Sequence, residues 1–378
     1  MKVILSVEPV RFPLTGIGRY TYELAQGLMS VKDISQLKLF SGVKFISELP
    51  RAGEQTNAAH GIRRLVQKSG FATEAYRLAM PLLRSLALRG NEDFIYHGPN
   101  FFLPPFAGKK VATFHDLSPF KWTQCHDPVK VRYLQKELRK TLDSADALIT
   151  DSEFTRRELA EFSGWPLERI HAVPLASAHE FHPRSEAEIK PILARYNLVY
   201  QRYTLFVGTI EPRKNIISLL DAYSQLPTKL RQHCPLVLSG YRGWQSDVIH
   251  DRIKRAEREG WVRYLGFFPT DDLPDLYAGA RLFAFPSLYE GFGLPVLEAM
   301  ASGVPVVCSD SSSLPEVVGD VALMAEPMNV DALAENLRVG IENNEWREIA
   351  AKKSRLRALE FSWERCALAT VNVYRHLG

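Results

Sequence analysis

FPSLYEGFGLPVLEAMASGVPVV, residues Phe285 to Val307, reads as a strand exit, a glycine loop, a helix start and the approach to a further strand. The apolar run leading into it, Arg281 to Phe285 (RLFAF), has the length and composition of a buried strand. The loop from Pro286 to Gly293 ends in Gly-Phe-Gly. Pro295 then falls in the first turn of the helix, where its missing N–H costs nothing. Strand, loop and helix N-terminus together make an anion site, because first-turn amides are unpaired and the helix dipole favours negative charge. A diphosphate resting on the amides of Gly291, Phe292, Gly293 and Leu294 would have Glu290 at one end and Glu298 at the other. A rise of about 1.5 Å per residue puts these carboxylates roughly 10 Å apart, a spacing that suits hydrogen bonds to hydroxyls at both ends of an elongated ligand.

The chain around this stretch has 378 residues, which implies two domains. Its 46% hydrophobic and 24% charged residues fit a soluble globular protein. No run of 18 apolar residues is present, so no transmembrane helix is expected. The N-terminus, MKVILSVEPVRF, is interrupted at Glu8 and Pro9 and reads as a first buried strand, not a signal peptide. Cys125, Cys234, Cys308 and Cys366 show no C-x-x-C spacing and read as free thiols of a reducing compartment. A net charge of +4 is too small to imply a nucleic-acid partner.

The first half alternates short apolar runs with helical patterns, as parallel α/β sheets do. Strand Lys2 to Val7 leads through Gly16-Ile17-Gly18 into a helix from about Arg19 to Met29. This Gly-x-Gly lacks the third glycine of a dinucleotide fingerprint and by itself fits a tight turn equally well. Residues 60–90 hold Arg63, Arg64, Lys68, Arg77, Arg84 and Arg89 against the single acid Glu74, with leucines and aromatics at helical spacing. Such a pattern fits a basic amphipathic surface on anionic lipid, or two ordinary helices with solvated arginines. Strand Phe94 to Tyr96 is followed by HGPNFFLPPF (97–106), whose prolines and aromatics suit a rigid wall. Strand Val111 to Phe114 ends at His115-Asp116, and open α/β sheets bind ligands off the carboxyl ends of strands. After helix Asp127 to Ser144 and strand Ala147 to Thr150, Ser152 caps a further helix, and strand Ile170 to Val173 closes the first sheet. Residues 174–200 read as a linker and a short helix, with His179 and His182 in loops.

The second half restarts the pattern. Strand Tyr203 to Val207 exits through GTIEPRKN (208–215), placing Arg213 and Lys214 between a strand end and the helix Ile216 to Gln225, where two cations suit a diphosphate. Strands Pro235 to Ser239 and Val262 to Gly266 follow, the latter ending at Phe267. Helix Asp271 to Ala280 leads into the opening stretch, and after it come strand Val304 to Cys308 and the loop 309–314. Helical stretches span about 330–360, broken at Asn343-Asn344, and 362–377. No D-x-D occurs and no histidine–carboxylate cluster has metal spacing, so a metal-free chemistry is expected, with no resident cofactor.

Glu290 and Glu298, with seven residues between them, and the surrounding EGFGLPVLEAMASGVPVV resemble the signature of the family 4 retaining glycosyltransferases. The resemblance covers the whole chain and is specific mainly over 204–326. It implies an α/β GT-B fold: two Rossmann-like parallel-sheet domains facing each other across a cleft, with a C-terminal helix crossing back to the first. The implied units are an acceptor-side domain 1–180 (plus the crossover helix 361–378), a linker 181–200 and a nucleotide-sugar-binding domain 201–360. The resemblance gives Glu290 the sugar end of the donor, as stabiliser or nucleophile, and Glu298 the ribose hydroxyls. It gives His115 the transferred sugar or the phosphate. Asp116 would fix the His115 tautomer or meet the acceptor. Gly16 and Gly18 would approach the donor, Arg213 and Lys214 would bind the leaving diphosphate, and the Phe267 loop would contact the base. One departure is that Thr209 stands where relatives commonly carry an arginine, so Arg213 takes that role. The spelling looks most like bacterial mannosyl- and rhamnosyltransferases of O-antigen and surface-polysaccharide assembly. This implies a GDP-mannose or GDP-rhamnose donor, a lipid-linked saccharide acceptor, and a place in the cytoplasm or peripheral on the cytoplasmic face of the inner membrane, through 60–90. The alternatives are a UDP-sugar-dependent glucosyl or N-acetylglucosaminyl transferase, a nucleotide-sugar epimerase and a non-catalytic scaffold.

Overall fold

Two parallel sheets organise the chain. The computed structural model describes residues 1–14, 16–51, 70–125 and 127–377, and in these the side chains of 70–78 and 130 are left aside. The first sheet holds β1 (Lys2–Ser6), β2 (Gln36–Ser41), β3 (Lys44–Ile46), β4 (Ile95–Gly98), β5 (Lys110–Phe114), β6 (Ala147–Thr150) and β7 (Ile170–Ala172). Their order is β3-β2-β1-β4-β5-β6-β7, parallel except for the β2–β3 hairpin. The second sheet holds β8 (Thr204–Val207), β9 (Leu236–Ser239), β10 (Val262–Gly266), β11 (Leu282–Phe285), β12 (Val306–Ser309) and β13 (Leu323–Ala325), ordered β10-β9-β8-β11-β12-β13 and parallel throughout. Central strands such as Val3-Ile4-Leu5 and Leu282–Phe285 are wholly buried. Helices cover both faces of such sheets, so these strands are continuous apolar runs and not alternating ones.

The strand order reverses between β1 and β4 in one sheet and between β8 and β11 in the other. Ligands bind at such switch points, off the carboxyl ends of the strands. The loops at these switch points leave β1, β4, β8 and β11.

The sequence reading passes over three strands. β2 (QLKLFS) and β3 are half polar and form an edge hairpin, turning at Gly42 with φ +67°. β13 is three residues at the other sheet's edge. The helix Glu186–Arg195 opens with a capping box between Ser185 and Glu188. It packs beside the second sheet, where Arg184 reaches Asp275 at 2.5 Å and Tyr196 donates to Asp272 at 2.8 Å.

The C-terminal break lies where the asparagines stand. The Asn343 side chain accepts from the Trp346 amide, ending helix Val330–Glu342 and starting Asn344–Ala358. The last helix, Trp363–Arg375, crosses back to the first domain as expected. It lies against helix Gly16–Ser30 so closely that a Cβ on Gly27 would sit 2.6 Å from the Ala367 Cβ.

Within 60–90, helix Gly70–Leu88 is present, whereas Arg63, Arg64 and Lys68 lie outside the described residues. Arg84 is not a solvated or lipid-facing arginine: it donates to Glu8 at 2.5 Å and to the Gly42 carbonyl at 3.1 Å. Among the described residues, no helix is long and apolar enough to cross a membrane.

Candidate active site

Parallel pairing of β8 with β11 brings their exit loops together, since Thr204 and Leu205 stand opposite Leu282 and Phe283. The first loop makes a 3₁₀ turn over Pro212–Lys214 and is pinned by Asn215, whose side-chain amide donates to the carbonyls of Pro286 (3.1 Å) and Pro327 (2.7 Å). Lys214 Nζ then meets Glu290 Oε1 at 2.5 Å, and Arg213 Nη1 meets Glu290 Oε2 at 3.3 Å. Arg213 also reaches Glu211 at 2.7 Å and the Tyr289 carbonyl at 2.8 Å. Glu290 and Lys214 are each 7% exposed. Two cations face two carboxylates in this knot. Burial pushes the Glu290 pKa up, but Lys214 and Arg213 outweigh it and hold the carboxyl below its usual range. Burial lowers Lys214, against the pull of Glu290.

Beside this knot starts the helix Leu294–Ala301, with Pro295 in its first turn and Gly293 before it at φ +109°. The amides of Gly291, Phe292 and Gly293 donate to no protein group among the described residues. The returning loop holds this backbone in place: Ser313 Oγ hydrogen-bonds the Glu290 and Phe292 carbonyls, and Ser312 Oγ accepts from the Glu290 amide. Phe292 offers the site only its backbone, because its ring is buried edge-on against Phe361 at 5.8 Å.

Gly291 lies against the first domain. Its carbonyl accepts from Ser152 Oγ (2.7 Å) and Thr155 Oγ1 (3.0 Å), and a Cβ there would stand 1.8 Å from the His115 carbonyl oxygen. Tyr289 donates to Glu158 and accepts from the Leu117 amide at 3.0 Å. The cleft is thus closed around the Tyr289-Glu290-Gly291 segment.

His115 leaves β5 with both ring nitrogens engaged. Nδ1 is 2.7 Å from Asp151 Oδ2 and Nε2 is 2.8 Å from the Pro99 carbonyl. The Pro99 carbonyl only accepts, so Nε2 carries a proton, while Nδ1 and Asp151 share one between them. Burial disfavours the imidazolium and also raises Asp151, and the pull of Asp151 outweighs burial at His115, leaving its pKa raised. The sequence does not single out Asp151 and expects Asp116 to fix the tautomer or to meet the acceptor. The first of these is corrected: Asp151 holds the ring, and Asp116 Oδ1 accepts from the Ser118 amide at 2.9 Å, closing its own turn. Strand register, not sequence spacing, brings Asp151 here. β5 and β6 pair with Phe114 opposite Thr150, so the next residue of each strand, His115 and Asp151, emerges beside the other. The 97–106 loop packs inward: Phe101 lies 6.1 Å from the Phe114 ring and its amide donates to Thr113.

On the β1 side, Gly18 approaches the Pro9 carbonyl, where a Cβ would be at 2.9 Å, while Gly16 starts the helix with open space around its Cα. Arg19 follows, near Glu23 (3.4 Å) and Glu180 (3.6 Å). It also faces Glu298, whose carboxyl is pushed up to about 7 by burial, with the Tyr277 hydroxyl and Arg19 pulling the other way. At the β9 and β10 exits, Phe267 (42% exposed) stacks on Tyr241 at 4.4 Å, so these exits carry an aromatic pair where the sequence singles out Phe267 alone.

A family model described as "Glycosyltransferase Family 4" matches residues 14–176, and one described as "Glycosyl transferases group 1" matches 194–357. The O-antigen chain mannosyltransferase B of Escherichia coli is 47% identical over 381 residues, covering all of both chains. The serotype-specific mannosyltransferase WbdA of Escherichia coli is 33% identical over 71% of this chain, which spans 34% of that protein. Among solved structures, the sucrose-phosphate synthase of Thermosynechococcus elongatus superposes with a TM-score of 0.70 at 21% identity, covering 100% of this chain and 98% of that one.

Proposed function

The chain belongs to glycosyltransferase family 4, in the two-domain GT-B arrangement, and on that premise we propose that it moves mannose, or its close relative rhamnose, from a GDP-sugar to a lipid-linked oligo- or polysaccharide. Retention at the anomeric carbon and independence from metal are part of the proposal. The mannosyl choice is supported by the full-length likeness to an O-antigen mannosyltransferase. The observation that carries the reaction is the buried Arg213–Lys214–Glu290 knot beside the open amides of Gly291 to Gly293.

In this reading the diphosphate rests on those amides and competes with Glu290 for Lys214 and Arg213. Preorganised positive charge aimed at a leaving group is commonly the largest catalytic contribution. As the bond from C1 to the phosphate oxygen breaks, C1 becomes oxocarbenium-like, and the displaced Glu290 carboxylate offers negative charge to it. The acceptor hydroxyl attacks from the same face and passes its proton to the departing diphosphate oxygen, so GDP leaves as the new glycosidic bond forms. Glu298 accepts the ribose hydroxyls. His115 acts through its charge, because both its nitrogens are already engaged.

Leu82, Leu83 and Leu86 are 66%, 47% and 52% exposed on helix Gly70–Leu88 and support a lipid-facing surface on the cytoplasmic side. The deciding experiment is calorimetric titration with GDP and UDP in chelator and in magnesium, followed by transfer assays with the matching sugars. Metal-free binding of GDP with transfer from GDP-mannose supports the proposal. A preference for UDP overturns the donor, and binding of neither overturns the enzyme's assigned site.

A further inference from the structure

Four polar groups that take no part in this chemistry form a continuous buried chain. Tyr374, on the C-terminal crossover helix, places its hydroxyl 2.6 Å from His97 Nδ1. His97 Nε2 is 2.8 Å from Thr113 Oγ1, which is 3.0 Å from the Tyr20 hydroxyl. Tyr374, His97 and Thr113 are wholly buried and Tyr20 is 1% exposed. The Tyr20 ring packs edge-on against the His115 ring, with centroids 5.0 Å apart at 82°.

Burial and the neighbouring His115 hold His97 neutral, with its pKa pushed down to about 3. A neutral imidazole has one donor and one acceptor, so the hydrogen bonds run in a single direction from end to end. Losing any one link leaves a buried polar atom unpaired, which is costly in an apolar surrounding. Aliphatic and phenyl side chains would fill the same volume without that risk. The chain joins a helix from the far end of the sequence to a ring that borders His115. His115 is then held on three sides: Asp151 at Nδ1, the Pro99 carbonyl at Nε2 and Tyr20 against its ring.

We propose that Tyr374, His97, Thr113 and Tyr20 are positioning residues for His115, so that the docked crossover helix sets the geometry of the first-domain half of the transfer site. The inference rests on the transferase reading for its kinetic consequence and on geometry alone for its effect on His115. The titratable groups that face His115 are Asp151, Asp116 and His97.

The test uses the full chain with ¹⁵N-labelled histidine. Tyr374→Phe removes one hydroxyl and keeps the ring. The expected result is a displaced His115 ring signal whose titration midpoint moves by about half a unit or more. The kcat for transfer falls about tenfold while the donor KM stays within about twofold, because the donor groups of the second domain are untouched. Tyr20→Phe acts alike, and the double variant falls no further than either single one, as one shared network requires. Thr113→Val serves if a tyrosine variant does not fold. Folded variants with wild-type His115 signals and wild-type kcat, even at a lowered melting temperature, overturn the proposal. A wild type that transfers no sugar overturns the transferase reading instead, while the histidine spectra still decide this one.

Discussion

Lys214 Nζ and Glu290 Oε1 stand 2.5 Å apart in a pocket where each residue is 7% exposed, with Arg213 on the other carboxylate oxygen. Removing one partner of a buried ion pair leaves the other uncompensated, which commonly costs about 3–5 kcal/mol. Arg213 stays on Glu290, so Lys214→Met is expected to cost about 2–3 kcal/mol, read by denaturant unfolding. Its binding effect is selective. Affinity for the nucleoside diphosphate falls about 100-fold, as the loss of a desolvated charge-assisted contact implies, while the nucleoside binds as before. Equal loss of both ligands would remove Lys214 from the phosphate site.

Glu290→Gln separates the two roles of the same pair. The amide keeps the shape but no longer competes as an anion for Lys214 and Arg213. Nucleoside diphosphate binding is therefore expected to tighten, by about tenfold for roughly 1.4 kcal/mol of released competition. Transfer is expected to vanish, since no carboxylate remains beside the developing cation. Weaker diphosphate binding in titration calorimetry would show that Glu290 does not share these cations with the ligand.

Much of this is legible in the sequence, for physical reasons. Apolar runs bounded by glycine and proline mark central parallel strands because both faces are buried, and Leu282–Phe285 is such a run. The glycine loop and Pro295 mark a helix start whether or not a ligand is used. The half-polar edge strands β2 and β3 carry no such signal. Asp151 lies 36 residues from His115, and only the register of β5 on β6 makes them neighbours. The Lys214–Glu290 pair likewise needs the β8–β11 contact, across 76 residues.

Gly291 offers a test of cleft closure. A Cβ there would stand 1.8 Å from the His115 carbonyl oxygen and 2.8 Å from its carbon. Both are backbone atoms, so the neighbour has no flexible side chain to move aside. Gly291→Ala is expected to force the two domains apart, breaking the Ser152 and Thr155 hydrogen bonds to the Gly291 carbonyl. Small-angle scattering should show a larger radius of gyration, and transfer should fall by about 100-fold or more, as misplaced reacting groups do. Nucleotide binding, which the proposed site places mainly on the second domain, should survive. An unchanged scattering profile with full activity would show that the closed contact is not needed.

Glu298 gives the pH dependence. Burial raises its carboxyl to about 7, well above its ordinary value of 4.5, against the opposing pull of Tyr277 and Arg19. A raised folded-state pKa contributes stability that is fully present below the unfolded pKa and lost as pH rises through the folded one. The window here therefore runs from about pH 4.5 to 7, with the loss complete above it. Glu298→Gln removes the penalty of charging this group, so it should stabilise the free protein by about 1–3 kcal/mol at pH 8 and hardly at pH 5. Ligand binding has the opposite sign. A carboxylate accepts two ribose hydroxyls and a neutral carboxylic acid accepts them less well. Nucleotide affinity should therefore rise between pH 6 and pH 8, with proton release on binding at the lower pH. Titration calorimetry in two buffers of different ionisation enthalpy measures that release directly. In Glu298→Gln both the release and the pH dependence should vanish, and affinity should be low throughout. If the variant keeps the wild-type pH profile, the titrating group lies elsewhere and Glu298 does not hold the ribose.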